Sequence, residues 1–213
     1  MTVAPGSPAA SDVLLIQFAR SPQIGSVKTR LVPALGEHGA CELHCELVEW
    51  TCRTLVEAQL GEVEVHIAGT MDHALFRHCR TLGAGRLVQQ RGANLGERMH
   101  YAIAEGLARA GRVVLVGSDC PSISRQYLAD SLGALERAPL VLGPAMDGGY
   151  VLIGARHIST QIFAGVNWGS GSVLAQTKDR LQQIGWDWAT LDPLPDIDRP
   201  DDLFVWQSLQ AGR

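Results

Sequence analysis

No stretch of this sequence approaches the roughly 20 consecutive apolar residues that a membrane-crossing helix requires, and no segment repeats another. Cysteine is scarce: five residues, an odd number with no C-x-x-C spacing, which excludes a disulfide framework and suits a reducing compartment. A large excess of either sign of charge is missing too. A formal net charge of −4 does not hold nucleic acid or an anionic membrane by bulk electrostatics, which leaves small molecules as the expected partners. Residues 2–11 are small, Pro-rich and uncharged, without the basic start or apolar centre of a signal peptide. The expectation is a disordered tail over 1–12 and a cytoplasmic protein. The phosphate-binding pattern Gly-x-x-x-x-Gly-Lys is also absent.

What is present is enough for one core: 213 residues, 46% hydrophobic, with no linker that would divide residues 13–213. Apolar runs predict strands at Val13–Phe18, Val63–Ala68, Arg86–Gln89, Arg112–Val116, Pro139–Leu142, Tyr150–Ile153 and Trp186–Leu191. Helical spacing fills the intervals: Glu37 to Gln59, Asp72 to Leu82, Asn94 to Arg109, Ser124 to Glu136, Ser172 to Ile184 and Pro200 to Leu209. Strands alternating with helices imply an α/β fold, a three-layer sandwich around a mainly parallel, mixed sheet. Cys41, Cys45 and Cys52 fall at helical spacing around His44 and read as small buried hydrophobes rather than metal ligands.

The most informative segment is Val113-Val114-Leu115-Val116-Gly117-Ser118-Asp119-Cys120-Pro121, a buried strand that ends directly in a carboxylate. In open α/β sheets ligands bind beyond the strand ends, so Asp119 is placed to meet a hard cation. An ordinary cap accounts for the same residue. Cys120 has no histidine near it in sequence to activate it and reads as packed.

Around Asp119 stand four further constellations. The loop after the first strand carries Arg20, Lys28 and Arg30 with Gly25 between them, a set that suits a diphosphate through charge, planar forks and open backbone amides; a solvated basic loop is the competing reading. Asp147-Gly148-Gly149-Tyr150 offers a second strand-end carboxylate, glycines that let a ligand approach and an aromatic ring, and is equally a hairpin turn. Asp196 and Asp198 point to one side of an extended segment and can share a cation, while Asp201 and Asp202 suit the first turn of the helix that follows. With Asp119 they form the oxygen-rich set that Mg²⁺ or Mn²⁺ prefers. Gln90, Asn94 and Arg98 surround a helix start that suits an anion or a nucleotide base, or simply caps a helix.

The order of these motifs resembles the radical-SAM/selenodomain-associated transferase family, a bacterial branch of the nucleotide-diphospho-sugar transferases with the GT-A fold. The resemblance rests on Phe18-Ala19-Arg20-Ser21-Pro22, Lys28-Thr29-Arg30-Leu31, Asn94-Leu95-Gly96-Glu97-Arg98-Met99, Gly117-Ser118-Asp119-Cys120-Pro121, Gly143-Pro144, Asp147-Gly148-Gly149-Tyr150, Trp168, Val173-Leu174-Ala175-Gln176-Thr177 and the segment from Asp196 to Leu203. More distantly the pattern is similar to the 2-phospho-lactate and molybdenum cofactor guanylyltransferases. The resemblance implies that Lys28 and Arg30 hold nucleotide phosphates, that Asp119 and Asp198 bind the metal with Asp196 as the less firm third, and that Gly148, Gly149, Tyr150 and Trp168 face the acceptor or sugar. Asp147 is the candidate to orient or deprotonate the acceptor. Asn94 and Met146 depart from the family's usual residues, which bears on acceptor choice. The expected activity is metal-dependent transfer from a nucleotide-activated donor, glycosyl transfer from a nucleoside diphosphate-sugar first. Nucleotidyl transfer to a phosphorylated small molecule, or a non-catalytic nucleotide-binding domain, are the alternatives.

Overall fold

The computed structural model describes residues 12–211, so the tail expected over residues 1–12 lies outside the described residues except for Asp12. Along the chain run β1 (Val13–Arg20), α1 (Val32–Ala58), β2 (Glu62–Ala68), α2 (Ala74–Leu82), β3 (Arg86–Gln89), α3 (Leu95–Leu107) and β4 (Arg112–Val116). Then come α4 (Arg125–Ala134), β5 (Leu140–Pro144), β6 (Tyr150–Ala155), α5 (Val173–Gln183), β7 (Ala189–Thr190) and α6 (Leu203–Ala211). The strands form a seven-stranded sheet in the order β3-β2-β1-β4-β6-β5-β7. Every strand except β6 runs in one direction. The exception follows from chain length: β5 and β6 are joined by a short turn, and a short turn can only reverse a strand.

The side chains of β1 alternate between the two faces, as the pleat requires. Leu15 and Ala19 pack with Val48, Cys52 and Leu55 of α1, Phe76 of α2 and Leu128 of α4. Leu14, Ile16 and Phe18 pack on the other face against Met99 and Ile103 of α3 and Leu181 of α5. Both faces of the sheet are therefore covered, which is why the central strands read as unbroken apolar runs. The architecture is the expected α/β/α sandwich with a mixed, mostly parallel sheet. A third, smaller core joins Leu43 and Leu47 of α1 to Ile197 and Trp206, with Trp50 and Trp206 packed edge to face at 5.0 Å. It fixes the late segment that carries Asp196 and Asp198 to the helix beneath the first loop.

The structure corrects one element. The strand expected at Trp186–Leu191 contracts to Ala189–Thr190. Trp186 N closes the end of α5 on Leu181 O at 3.0 Å, and Trp186 and Trp188 pack toward the α3/α5 core, so pairing with β5 begins late. Two boundaries also differ. An extra turn precedes the regular part of α1, separated from it by Gly36 at φ 70, and residues Pro200–Asp202 form a 3-10 turn ahead of α6.

Candidate active site

Outward from β1 the chain adds β2 on one side and β4 on the other, so the ends of β1 and β4 flank the point where the sheet order reverses. Such a point opens a crevice at the carboxyl ends of the strands. Here it is a cleft of about 670 Å³.

The floor of the cleft is held by a buried polar chain inside an otherwise apolar core. Gln17, fully buried on β1, donates through Nε2 to Val48 O at 2.9 Å and to Ser118 Oγ at 2.8 Å. Ser118 Oγ in turn donates to Phe18 O at 2.8 Å. The ends of β1 and β4 and the middle of α1 are thereby tied together, and Asp119 follows immediately on this tie.

Two cation–carboxylate pairs cross the cleft. Lys28 Nζ lies 2.6 Å from Asp119 Oδ1 and also donates to Ile197 O, with the lysine side chain only 5% exposed. Its backbone sits in the left-handed region at φ 49, unusual for a residue with a side chain, and this turn sends the ammonium inward. Arg30 pairs with Asp198 Oδ2. The hydrogen bond and charge of Asp198 raise the Arg30 pKa further above its ordinary value. His44 reaches the same wall from α1, with Nε2 2.9 Å from Arg20 O. Because a carbonyl only accepts, Nε2 carries the proton. Burial, opposed by that hydrogen bond, lowers the His44 pKa and favours the neutral ring.

The late segment reaches the cleft along the sheet edge. Leu191 N and Leu194 N bond to Leu142 O and Pro144 O, and Ile197 N bonds to Asp119 O at 2.8 Å. Asp202 Oδ2 accepts from the amides of Asp198 and Arg199, so it steadies the backbone of the aspartate that faces Arg30. Asp196, like Asp147, makes no ion pair among the described residues. Burial, together with the negative charges of Asp147, Asp119 and Asp198, raises its pKa to about 6. A carboxylate crowded by others is stabilised by a divalent cation. Mg²⁺ commonly takes one or two carboxylates and completes its shell with water and phosphate oxygens. Among the described residues no three His, Cys, Asp or Glu side chains converge as a preformed metal cage. One or two of Asp119, Asp198 and Asp196, completed by substrate oxygens, fit the shell that such an ion takes.

Of the residues singled out in the sequence, Arg20, Lys28, Arg30, Gln90, Arg98, Asp119, Asp147, Gly149, Tyr150, Trp168, Asp196 and Asp198 line the cleft. Gly25, Asn94 and Gly148 are not part of its lining. Gly25 makes a turn at φ 74. Asn94 caps α3, accepting from Glu97 N at 3.0 Å, while Glu97 Oε2 accepts from Ala93 N at 2.8 Å. Gly148 forms the β5–β6 turn at φ 90, where a Cβ would lie 2.0 Å from Gly171 O, and Asp147 Oδ1 accepts from Gly149 N within the same turn. The hairpin and the cleft wall are thus one structure. Tyr150 offers its ring to the cleft: its hydroxyl is buried beside Thr177, and burial raises its pKa. Burial pushes the Cys120 thiol up to about 12, in keeping with a packed residue. His44 and Phe18 also face the cleft and carried no local signal, since each continues an apolar pattern.

Comparison with known proteins agrees with this fold. The structure superposes on a candidate nucleotide-diphospho-sugar transferase from Desulfovibrio desulfuricans G20 with a TM-score of 0.83 and 28% identity, covering 92% of this chain and 86% of that one. At 12% identity and a TM-score of 0.61 it shares the fold of a 4-diphosphocytidyl-2C-methyl-D-erythritol synthase from Anaerococcus prevotii DSM 20548, over 93% of this chain and 96% of that one. The inositol-1-phosphate CTP transferase of T. maritima matches at a TM-score of 0.57 and 13% identity, over 92% and 94% of the two chains. No curated protein matches the sequence. The family model described as "Uncharacterized protein conserved in bacteria (DUF2064)" matches residues 51–170, more than half of the chain, and by that match the chain belongs to the DUF2064 family.

Proposed function

We propose that this chain is a metal-dependent transferase acting on a nucleotide-activated donor, with a nucleoside diphosphate-sugar as the donor and glycosyl transfer as the reaction. One observation carries the reading: cations of the first loop and carboxylates of two distant segments face each other across a single strand-end cleft. The sequence resemblance to radical-SAM/selenodomain-associated transferases supports it, as does the likeness to the Desulfovibrio protein. The same reading takes residues 13–213 as one domain working in the cytoplasm on small molecules, with no nucleic acid partner.

In this reading Lys28 and Arg30 exchange their carboxylate partners for the donor's phosphates, Lys28 as a point charge and Arg30 as a planar fork. Arg20 extends the cationic wall, and Gln90 and Arg98 face the nucleoside. Asp119 and Asp198, with Asp196, would hold Mg²⁺ or Mn²⁺, which supplies charge neutralisation at the diphosphate. As the bond to the leaving diphosphate breaks, Lys28 and Arg30 stabilise the developing charge, each positioned group being worth on the order of a few kcal/mol. Asp147, held by Gly149 N, orients the acceptor hydroxyl or takes its proton. The ring of Tyr150 and the indole of Trp168 wall the acceptor half.

Nucleotidyl transfer is the second reading, favoured by the shared fold of the two enzymes whose names specify cytidylyl products or CTP. The products separate the two. Release of nucleoside diphosphate from a sugar nucleotide marks glycosyl transfer, and release of pyrophosphate from a nucleoside triphosphate marks nucleotidyl transfer. Binding without either product across a broad acceptor screen would mark a non-catalytic nucleotide-binding domain. The central test is calorimetric titration of nucleotides with Mn²⁺ into the wild type and Asp119→Ala. Loss of metal-dependent binding in the variant is expected, and unchanged binding would overturn the assignment.

A further inference from the structure

We propose that Gln17, which does not line the cleft, is the residue that positions the Asp119 carboxylate for a cation, and that it does so at a cost in stability. The inference rests on the metal-dependent reading above and adds to it the group that aims the carboxylate. Gln17 lies in the middle of β1 beside Leu15, Ile16 and Phe18, and all four side chains are buried. The core returns little for its polarity. Nε2 is engaged by Val48 O and Ser118 Oγ, while Oε1 is buried with no hydrogen-bond partner among the described residues. A buried polar atom left unpaired costs stability that an apolar residue of the same shape would not. Gln17 is absent from the cleft lining, so its effect on a ligand passes through the residues it holds.

What the amide secures is the chain around Asp119. Val48 O only accepts, so the nitrogen end of Gln17 must face it, and the second hydrogen of that nitrogen goes to Ser118 Oγ. Accepting there, the Ser118 hydroxyl turns its own hydrogen to Phe18 O at 2.8 Å. Ser118 is thereby held from two sides. The neighbouring main chain is held as well: Gly117 N donates to Val151 O at 3.1 Å, Asp119 O accepts from Ile197 N at 2.8 Å, and Pro121 O accepts from Trp50 Nε1 at 3.0 Å. Along Ser118-Asp119-Cys120-Pro121 only Asp119 is exposed. The segment is locked on its core side and presents one carboxylate to the cleft. Lys28 stands 2.6 Å from that carboxylate and competes with any cation for it. A carboxylate already held in direction binds the cation without first losing freedom, which is the advantage of a preorganised site.

The test is Gln17→Met, which keeps the length of the side chain and removes both amide ends. In the variant Val48 O stays in the α1 hydrogen-bond ladder and Ser118 Oγ keeps Phe18 O, so no new buried group loses its last partner. The melting temperature without metal should equal or exceed that of the wild type. In calorimetry with saturating GDP, ADP, CDP or UDP, the Mn²⁺ affinity should fall about tenfold. Exchange of the Ile197 amide, followed by NMR in metal-free protein, should quicken about tenfold while Leu15 and Val114 keep their protection. Ser118→Ala, which removes the other end of the tie, should lose Mn²⁺ affinity to the same degree, and combining the two substitutions should add little. Wild-type Mn²⁺ affinity in either variant, or wild-type Ile197 exchange in Gln17→Met, overturns the positioning role and leaves the metal reading intact. A Gln17→Met melting temperature below that of the wild type overturns the cost in stability. If no nucleotide brings Mn²⁺ to the wild type, the metal reading falls, and this inference with it.

Discussion

Asp196 shows at the level of one side chain how the cleft opposes its own folding. With its pKa raised to about 6 by burial and by Asp147, Asp119 and Asp198, against an ordinary value of 3.8, it keeps its proton in the folded state where the unfolded chain has released it. Stability therefore falls as pH rises from about 3.8 to 6 and stays lowered above that. Asp196→Asn removes the penalty. In metal-free protein at pH 7.5 its melting temperature should exceed that of the wild type, a gain of about 1–3 kcal/mol. The gain should vanish near pH 4, and thermal melts at the two pH values read it directly. A variant no more stable than wild type at pH 7.5 would show the carboxylate to be relaxed. That Asp196 and Asp198 share the cleft was legible from their spacing. That Asp196 has no cation while Asp198 faces Arg30 was not, because the difference depends on side chains about 170 residues away in sequence.

Among the elements, the first turn of α3 and the strand β2 each carry a constraint visible only in packing. Gly96 belongs to a motif that read as a helix start. A Cβ there would lie 2.6 Å from the Trp168 indole and 2.8 Å from Phe163 Cβ, so glycine is what lets α3 seat against Trp168 and Phe163. Gly96→Ala should cost about 1–3 kcal/mol in denaturant unfolding and shift the tryptophan emission, since overpacking must move the indole. On β2, Glu64 is buried and accepts from both guanidinium nitrogens of Arg109, just past α3, at 2.7 and 3.1 Å, and from Arg86 of β3 and His66. Burial alone would raise its pKa. The hydrogen bonds from His66 and Arg109 overcome this and hold it at about 2. Its folded value lies below the unfolded one of 4.5, so the stabilisation is present above pH 4.5 and is lost as pH falls toward 2. Arg109→Met, which strips the main partner, should unfold with a loss of about 3 kcal/mol at pH 7, and this loss should shrink in acid. The alternation Glu62-Val63-Glu64-Val65-His66-Ile67 predicts a strand and would put Glu64 and His66 on a polar face. Only α3, folded over that face, turns them into a buried network.

For the whole molecule, the proposed function makes ligand binding an exchange of partners. Lys28 is closed on Asp119 and Arg30 on Asp198. A cation binding alone displaces Lys28 and Arg30 from their carboxylates, and a nucleotide binding alone strips both carboxylates of their cations. Bound together, each ligand takes the groups the other releases. Mn²⁺ affinity should therefore tighten at least tenfold in saturating nucleoside diphosphate, and nucleotide affinity by the same factor in saturating Mn²⁺, as linkage requires. Calorimetric titrations in both orders check this, and independent binding would show that the pairs do not gate the site.

The sequence by itself determined the layered α/β fold, because strands covered on both faces need continuous apolar runs and the intervening helices need a 3.6-residue stripe, both of which are local patterns. It also determined which residue types could bind a metal and a diphosphate. The tertiary structure decided the reversal of β6, the shortening of β7, and which cation meets which carboxylate. It also decided that Asn94 caps a helix while the Gln90 amide nitrogen is tied to Ala19 O and His66 O. These are outcomes of pairings between segments far apart along the chain, and a hydrogen bond across such a distance leaves no period or spacing in the sequence to read.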